Sequence, residues 1–475
     1  MNPTTIAAIP SNNVSQTPES KPAQQLAREL HVQGVAHYNQ LAKGNPLAMS
    51  EAIEMLEKSV ALDASPECLV HLAKMHMTAS SFTKAIERAS HCLHQFFPRE
   101  SLTEWTPNAQ FLSHEFARQL YKQAQRILGQ AHAQLAQYES AATHLQIVHA
   151  LNQGQLQSGQ RMSKEDMDNE FDLAFALLAL ENYAQGWAHY RVRYQPGFDA
   201  KLDSLCTKMN IPRWGGNVMA LEGSTVMLLP EQGYGDQIQF ARCAKALKEA
   251  GAKVWLLASG PTLELMQTLP WQDSVVNEDF KDFGRVTFWS TALHVSALLA
   301  INPYTQSIEC PYLYASEAKR ERFKRSSANE TLLAINWRGN ATHINDGARS
   351  LSLSQMMEEV SRHLSLLNSP SGAPQPKVQL LSIQIAPTAQ ELAIMQEHGI
   401  RDMSGEIKDF SDMAGVLANV DHLLTVDSAP VHLAGATNVP ATLLIPPRID
   451  WRWGCQSKAP PWYQSVQQRR QLRFS

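Results

Sequence analysis

Residues 421–440, DHLLTVDSAPVHLAGATNVP, leave little choice of fold. His422 to Val426 is a short apolar run ending at Asp427. Ser428, Ala429 and Pro430 turn the chain, VHLAGA opens a helix ending near Asn438, and Pro440 begins the apolar run ATLLI. Strand, tight loop, helix and strand make half of a βαβ unit, whose functional edge is the carboxyl end of the strand. Ser428 fits a helix N-cap and Pro430 the first turn. Amides there point outward with partial positive charge, so a phosphate fits. Asp427 would be repelled by that phosphate and is better placed to meet a ligand hydroxyl. A plain helix cap explains Asp427 and Ser428 equally well.

A chain of 475 residues has room for about three domains. Net charge of −4 gives no pointer to nucleic acid or anionic membrane. The six cysteines are scattered, without CxxC or zinc spacing, as expected for reduced thiols in a cytoplasmic protein. Residues 1–22 are rich in Pro, Ser, Thr and Asn, lack the basic start and apolar core of a signal peptide, and read as a disordered tail. No apolar run reaches the roughly 18 residues of a membrane span.

Residues 23–200 carry a degenerate repeat. Leu128, Gly129, His132, Tyr138, Ala141, Leu145 and Val148 fall where a tetratricopeptide repeat places its small and large contact residues. Gly34, Tyr38, Ala52, Leu56 and Pro66 form an earlier copy, and Leu72, Ala85, Ala89 and Pro98 another. A divergent copy includes residues 171–194, FDLAFALLALENYAQGWAHYRVRY. Residues 97–109 and 152–163 interrupt the array. Such an array buries its core by stacking and leaves a concave face, which suits a docked protein or peptide, or a structural cap. The DMD triplet at Asp166–Asp168 reads as solvated capping charge rather than a metal-diphosphate motif.

The pattern changes after Gly215 and Gly216. Residues 224–230 read as a buried strand, EQGYGDQ as a loop, QIQFARCAKALKEAG as an amphipathic helix and 253–258 as a strand. This is a Rossmann-like start to a half spanning 205–320. Gly233 and Gly235 allow a tight turn, but the full dinucleotide fingerprint is missing. Asp236, in the first turn of the helix at the sheet edge, suits a general base and equally a helix cap. Strands are expected near 274–277 and 285–289, and His294 reads as a packed group on the following helix. A second half spans 328–475. Residues 331–340 form a strand running into a loop with Asn336, Trp337, Arg338 and Asn340; Arg349 and Ser350 follow. Arg338 and Arg349 could fork onto a diphosphate, or serve as exposed ion-pairing groups. Residues 378–385 are the next strand, ending near Gln384. Trp451, Trp453, Trp462 and Tyr463, with Arg448 and Arg452, could stack on a ligand or close the gap between two domains.

Taken together, EQGYGDQIQFAR, NWRGN…HINDGARS, TVDSAPVHLAGA and PP-x-x-DWRW…PWY resemble the bacterial tetratricopeptide-repeat glycosyltransferases. Their catalytic part is similar to the ADP-heptose heptosyltransferases and, more distantly, to the O-linked N-acetylglucosamine transferases. The resemblance covers about residues 120–475. It implies an α plus α/β architecture, with a tetratricopeptide-like array followed by a GT-B pair of Rossmann-like domains. It also implies a nucleotide-sugar donor on the C-terminal half, an acceptor on the N-terminal half, and no need for a bound metal or other cofactor.

Carried over residue by residue, Asp236 matches the loop aspartate proposed as base, with Gln232, Gly233, Gly235 and Gln237 on the acceptor-side loop. Asp427, Ser428 and His432 match the donor motif, with Ala429, Asn336, Arg338, Asn340, Arg349 and Gln384 on the donor side. Arg338 stands where relatives carry a small residue; it could replace their phosphate-binding lysine or narrow the site. The expectation is a sugar transferase using an ADP- or UDP-sugar, with a protein acceptor on the repeat array. A lipopolysaccharide or surface-polysaccharide acceptor is an alternative, as is a non-catalytic scaffold with a vestigial sugar-nucleotide domain.

Overall fold

The computed structural model describes residues 21–40, 47–97, 114–157, 161–306, 310–325, 330–342, 346–367, 377–456 and 462–470. The expected disordered tail lies outside this set except for residues 21 and 22, which are helical. Most of the 97–109 interruption, Pro98 and part of the polar stretch 152–163 also lie outside it. The chain divides into two compact units, Met1–Leu177 and Leu178–Ser475.

The first unit is helical: α1 (Lys21–Gln40), α2 (Ala48–Leu62), α3 (Pro66–Thr78), α4 (Phe82–Phe96), α5 (Glu115–Gln134), α6 (Tyr138–Gln157) and α7 (Lys164–Ala179), the last crossing the unit boundary. Consecutive helices pack in pairs, and small residues at their contacts explain how. Gly34 on α1 faces Ala52 and Leu56 on α2, where an added methyl would strike the Leu56 side chain. Gly129 on α5 stands in the same relation to Ala141 and Leu145 on α6, 2.5 Å from the Leu145 Cγ such a methyl would meet. Ala52, Leu56, Ala85, Ala89, Ala141 and Leu145 are all fully buried. The DMD triplet caps α7: the Asp166 carboxylate accepts from Ser163 N and Oγ. Its expected solvation is a correction, because Asp166 is buried and ion-paired to Lys122.

The second unit carries two parallel sheets. The strands of the first are β1 (Thr225–Leu229), β2 (Lys253–Leu257), β3 (Ser274–Val276) and β4 (Phe288–Thr291), in the order β3-β2-β1-β4. The second contains β5 (Glu330–Asn336), β6 (Lys377–Ser382), β7 (Arg401–Asp402), β8 (His422–Val426), β9 (Ala441–Ile445) and β10 (Val466–Arg470), in the order β10-β9-β8-β5-β6-β7. Strands β8 (HLLTV) and β9 (ATLLI) are almost wholly buried because they lie inside the sheet with both faces covered. The expected single helix after Asp236 is broken into Tyr234–Phe240, a 3-10 turn at Ala241–Cys243, and Ala244–Glu249. At the break Arg242 turns inward, and its Nε donates to the Gln239 carbonyl at 2.9 Å.

The segment after Leu178, read from the sequence as part of a repeat copy, packs inside this second unit. Trp187 donates to the Ile301 carbonyl at 2.7 Å and packs edge-on to Trp451. Arg193 and Tyr194 bind Glu231 at the end of β1.

Candidate functional site

In a parallel sheet, ligands bind outside the carboxyl ends of strands where the order reverses, because loops there diverge and leave a crevice. Both sheets have such a point. The first reverses between β1 and β4, the second between β5 and β8. The loops leaving β1, β5 and β8 carry the residues singled out above.

On the β8 side, Asp427 ends the strand and helix Ala429–Ala436 begins. Ser428 occupies the N-cap position but makes no capping bond. Its Oγ instead donates to Asn336 Oδ1 at 2.8 Å, beside a bond from Thr425 Oγ1 at 3.0 Å. Asn336 Nδ2 donates in turn to Gln384 Oε1 at 2.8 Å, which also accepts from Arg338 N at 3.1 Å. Asn336 and Gln384, expected as donor contacts, are thus buried braces holding the β5 loop against β8. Arg338 is tied away as well. It pairs with Glu391 at 3.1 Å and donates to the Ala386 carbonyl at 2.7 Å. Burial opposes ionisation of Glu391, yet Arg338, the Thr388 amide and Trp337 together hold its carboxyl down at about 2. Asn340 is exposed and turns its Oδ1 onto Thr342 N at 3.0 Å.

Arg349 differs from Arg338. Its guanidinium packs over Gly339, where an added Cβ would lie 2.8 Å from Nη2. Asp346 lies 3.6 Å from its Nε, too far for a hydrogen bond, and that Nε is buried without a partner. A buried donor without an acceptor costs on the order of 1–3 kcal/mol, which an anionic ligand would recover. The Arg349 charge also acts on Asp427. Burial, reinforced by the neighbouring Asp450 carboxylate, pushes Asp427 up to about 6, while Arg349 pulls it back.

His432, the last residue of the expected donor motif, is packed rather than presented. It is buried, stacks on Trp453 with ring centroids 5.0 Å apart, and its Nδ1 lies 3.1 Å from Tyr463 Oη. Burial and the Arg452 charge push it down to about 3, so the ring is neutral. Its other edge faces Gly235, where a methyl would lie 2.7 Å from His432 Cδ2 and 3.6 Å from Ala429 Cα. Gly235 is therefore a contact glycine: it lets helix Tyr234–Phe240 meet helix Ala429–Ala436.

On the β1 side, Asp236 Oδ2 accepts from Gly233 N at 3.1 Å, the capping bond, and Oδ1 accepts from Arg452 Nη2. Burial pushes the Asp236 carboxyl up while Arg452 opposes it. Gln232 donates to Tyr190 Oη at 3.1 Å and accepts from Arg452 at 3.3 Å. Gln237 lies further in, accepting from Thr262 Oγ1 at 3.4 Å. A small cavity of about 40 Å³ lies beside Asp236, with Leu229, Leu257, Met266 and Leu293 in its apolar lining and Glu231 and Gln237 as further polar groups. His294 is a packed residue as expected, buried with its Nδ1 3.1 Å from Ser290 Oγ.

Asp450 and the role of Arg452 escaped the sequence reading. They lie in DWRW, where the tryptophans drew attention as gap-closing residues. Trp451 and Trp453 are indeed fully buried. The signal available was an Asp-x-Arg flanked by aromatics, which suits an ion pair removed from water.

No known family model matches the chain. A curated relative, Protein FlbA of Caulobacter vibrioides, is 25% identical over 325 residues, covering 62% of this chain and 51% of FlbA. The chain therefore spans about half the length of the curated relative it matches. Among solved structures, E. coli ADP-heptose LPS heptosyltransferase II aligns with a TM-score of 0.38 at 12% identity, over 52% of this chain and 91% of its own. A glycosyl transferase family 9 protein from Veillonella parvula gives 0.38 at 10% identity, over 54% and 88%. A Thermobaculum terrenum O-GlcNAc transferase spans more, 80% of this chain and 82% of its own, with a TM-score of 0.24 and 11% identity.

Proposed function

We propose that this chain is a glycosyltransferase that moves a sugar from an ADP- or UDP-sugar to a protein acceptor docked on the helical unit. The observation that carries the reading is the anion-ready corner at the β5/β8 crevice. Ser428 leaves the start of helix Ala429–Ala436 uncapped by its own hydroxyl, and Arg349 brings a buried Nε donor without a hydrogen bond to the same crevice. The four-motif resemblance supports the same chemistry. In this reading the helix start and Arg349 offset the charge developing on the departing diphosphate. Asp427 receives sugar hydroxyls. Asp236, at the mouth of the apolar pocket, takes the acceptor hydroxyl proton.

The test is thermal shift with ADP, UDP, GDP, CDP and CMP, since a ligand that binds only the folded state raises the midpoint. A rise with one nucleotide, lost in Arg349→Ala, is expected; no rise with any of them sinks the reading. The protein acceptor is tested by intact-protein mass spectrometry of cells with and without the gene, which should reveal a protein losing one sugar mass. A non-catalytic scaffold is the second reading, favoured by Arg338, Asp236 and His432 all being satisfied internally. An Asp236→Asn variant that fully complements a deletion would decide for it.

A further inference from the structure

Arg452 lies on the 3-10 turn Trp451–Trp453, and its side chain is only 8% exposed. Nη1 donates to Asp450 Oδ1 at 2.8 Å, within its own half. Nη2 donates to Asp236 Oδ1 and, at 3.3 Å, to Gln232 Oε1, both on the loop after β1. The guanidinium lies over the Trp451 ring, 4.5 Å from its centroid, and its buried Nε has no hydrogen-bond partner. One cation therefore joins a carboxylate from each half of the unit and keeps one donor in reserve.

The consequence for Asp236 is direct. Oδ2 is taken by the Gly233 amide and Oδ1 by Arg452. Burial holds the Asp236 carboxyl above its ordinary value, but an oxygen already accepting from a guanidinium is not open to the proton of an acceptor hydroxyl. Arg452 also stands close to the anion-ready corner. Gly235, one residue before Asp236, touches Ala429 at the helix start, and the Arg452 charge reaches Asp427. A diphosphate arriving there would compete with Asp236 for the same cation, since forked donors suit phosphate as well as carboxylate.

We infer that Arg452 is a latch that masks Asp236 until an anionic donor draws the guanidinium away. The inference rests on the nucleotide-sugar reading and adds to it the order of events. Donor binds, Arg452 turns about its own side-chain bonds while Asp450 retains Nη1, and Asp236 Oδ1 becomes free for the acceptor proton. The diphosphate replaces the negative charge that Arg452 gives up. Arg452 is thus a positioning residue, and donor binding and base availability are reciprocally coupled.

Reciprocity supplies a test that needs no acceptor. The Kd of ADP and of UDP is measured by titration calorimetry for the full chain and three variants. Asp236→Asn frees Arg452 and should tighten the preferred nucleotide about tenfold. Arg452→Gln should weaken it about tenfold. The double variant should match Arg452→Gln alone, because the gain from Asp236→Asn passes through Arg452. If Asp236→Asn does not fold, Gln232→Leu removes the other bond from that loop and should tighten binding two- to threefold. An Asp236→Asn or Gln232→Leu protein that binds no more tightly than wild type overturns the latch, as does a gain that survives in the double variant. In either case wild-type binding leaves the transferase reading standing. Failure of ADP and UDP to bind wild type and every variant overturns both.

Discussion

At the residue scale, Arg338 and Arg349 show how far a side chain's surroundings decide its role. Arg338 lies on the loop after β5, and Arg349 ends the short helix Asp346–Arg349. Arg338 hydrogen-bonds and neutralises Glu391, whereas Arg349 has only a looser ion pair with Asp346 and keeps a buried Nε without a hydrogen bond. Glu391 titrates below its ordinary value of 4.5, at about 2, so its contribution to stability is present above pH 4.5 and is lost as pH falls toward 2. Arg338→Ala, which removes one of the three groups holding that carboxylate, should therefore cost about 1–2 kcal/mol at pH 7 and less at pH 3, measured by denaturant unfolding across that range. Asp427 behaves oppositely. Its folded value lies above the ordinary 3.8, at about 6, so the folded state loses stability as pH rises between those values. Asp427→Asn should stabilise the protein by about 1–3 kcal/mol at pH 7.5, with the gain vanishing near pH 4. A thermal melt at the two pH values checks this. Equal melting of variant and wild type at pH 7.5 would refute it.

At the element scale, the decisive contacts are glycines that let helices touch. Gly235 admits His432, which cannot retreat because Trp453 stacks on it and Tyr463 bonds it. Gly235→Ala should cost about 1–3 kcal/mol, because it pushes helix Ala429–Ala436 off its seat. Gly129→Ala in the first unit should cost a similar amount, since the Leu145 side chain stands in the way. Sequence periodicity located most elements well but not β7 and β10. Strand β10, VQQRR, is a charged edge strand without apolar alternation, and β7 is two exposed residues long. Edge strands carry such charges because they guard against pairing with another chain, and this hides them from a hydrophobic pattern search. The broken helix after Asp236 was hidden for a different reason: Arg242 reads as an ordinary surface arginine until Tyr312, Trp462 and Tyr463 enclose it.

At the scale of the whole molecule, the two units have separate cores, and their unfolding need not be one transition. Scanning calorimetry should resolve two, with Gly129→Ala lowering one and Gly235→Ala the other. A single transition lowered equally by both would contradict independent units. The strand–turn–helix at Asp427 and the glycine loop at Asp236 were legible in the chain because local spacing dictates their backbone conformation. Asp236 and Asp427 could be picked out for the same reason: each follows closely on a strand end, and strand ends can be read from apolar runs. The rest depended on contacts distant in sequence. That Asn336 and Gln384 are braces, that His432 is buried and neutral, and that Arg452 holds Asp236 across 216 positions follows only when the sheets stack their loops together. Local periodicity reports which face of an element is apolar. Which polar groups then satisfy one another, and which are left for a ligand, is decided by tertiary packing, because hydrogen bonds and charges act only over the few ångströms that the fold closes.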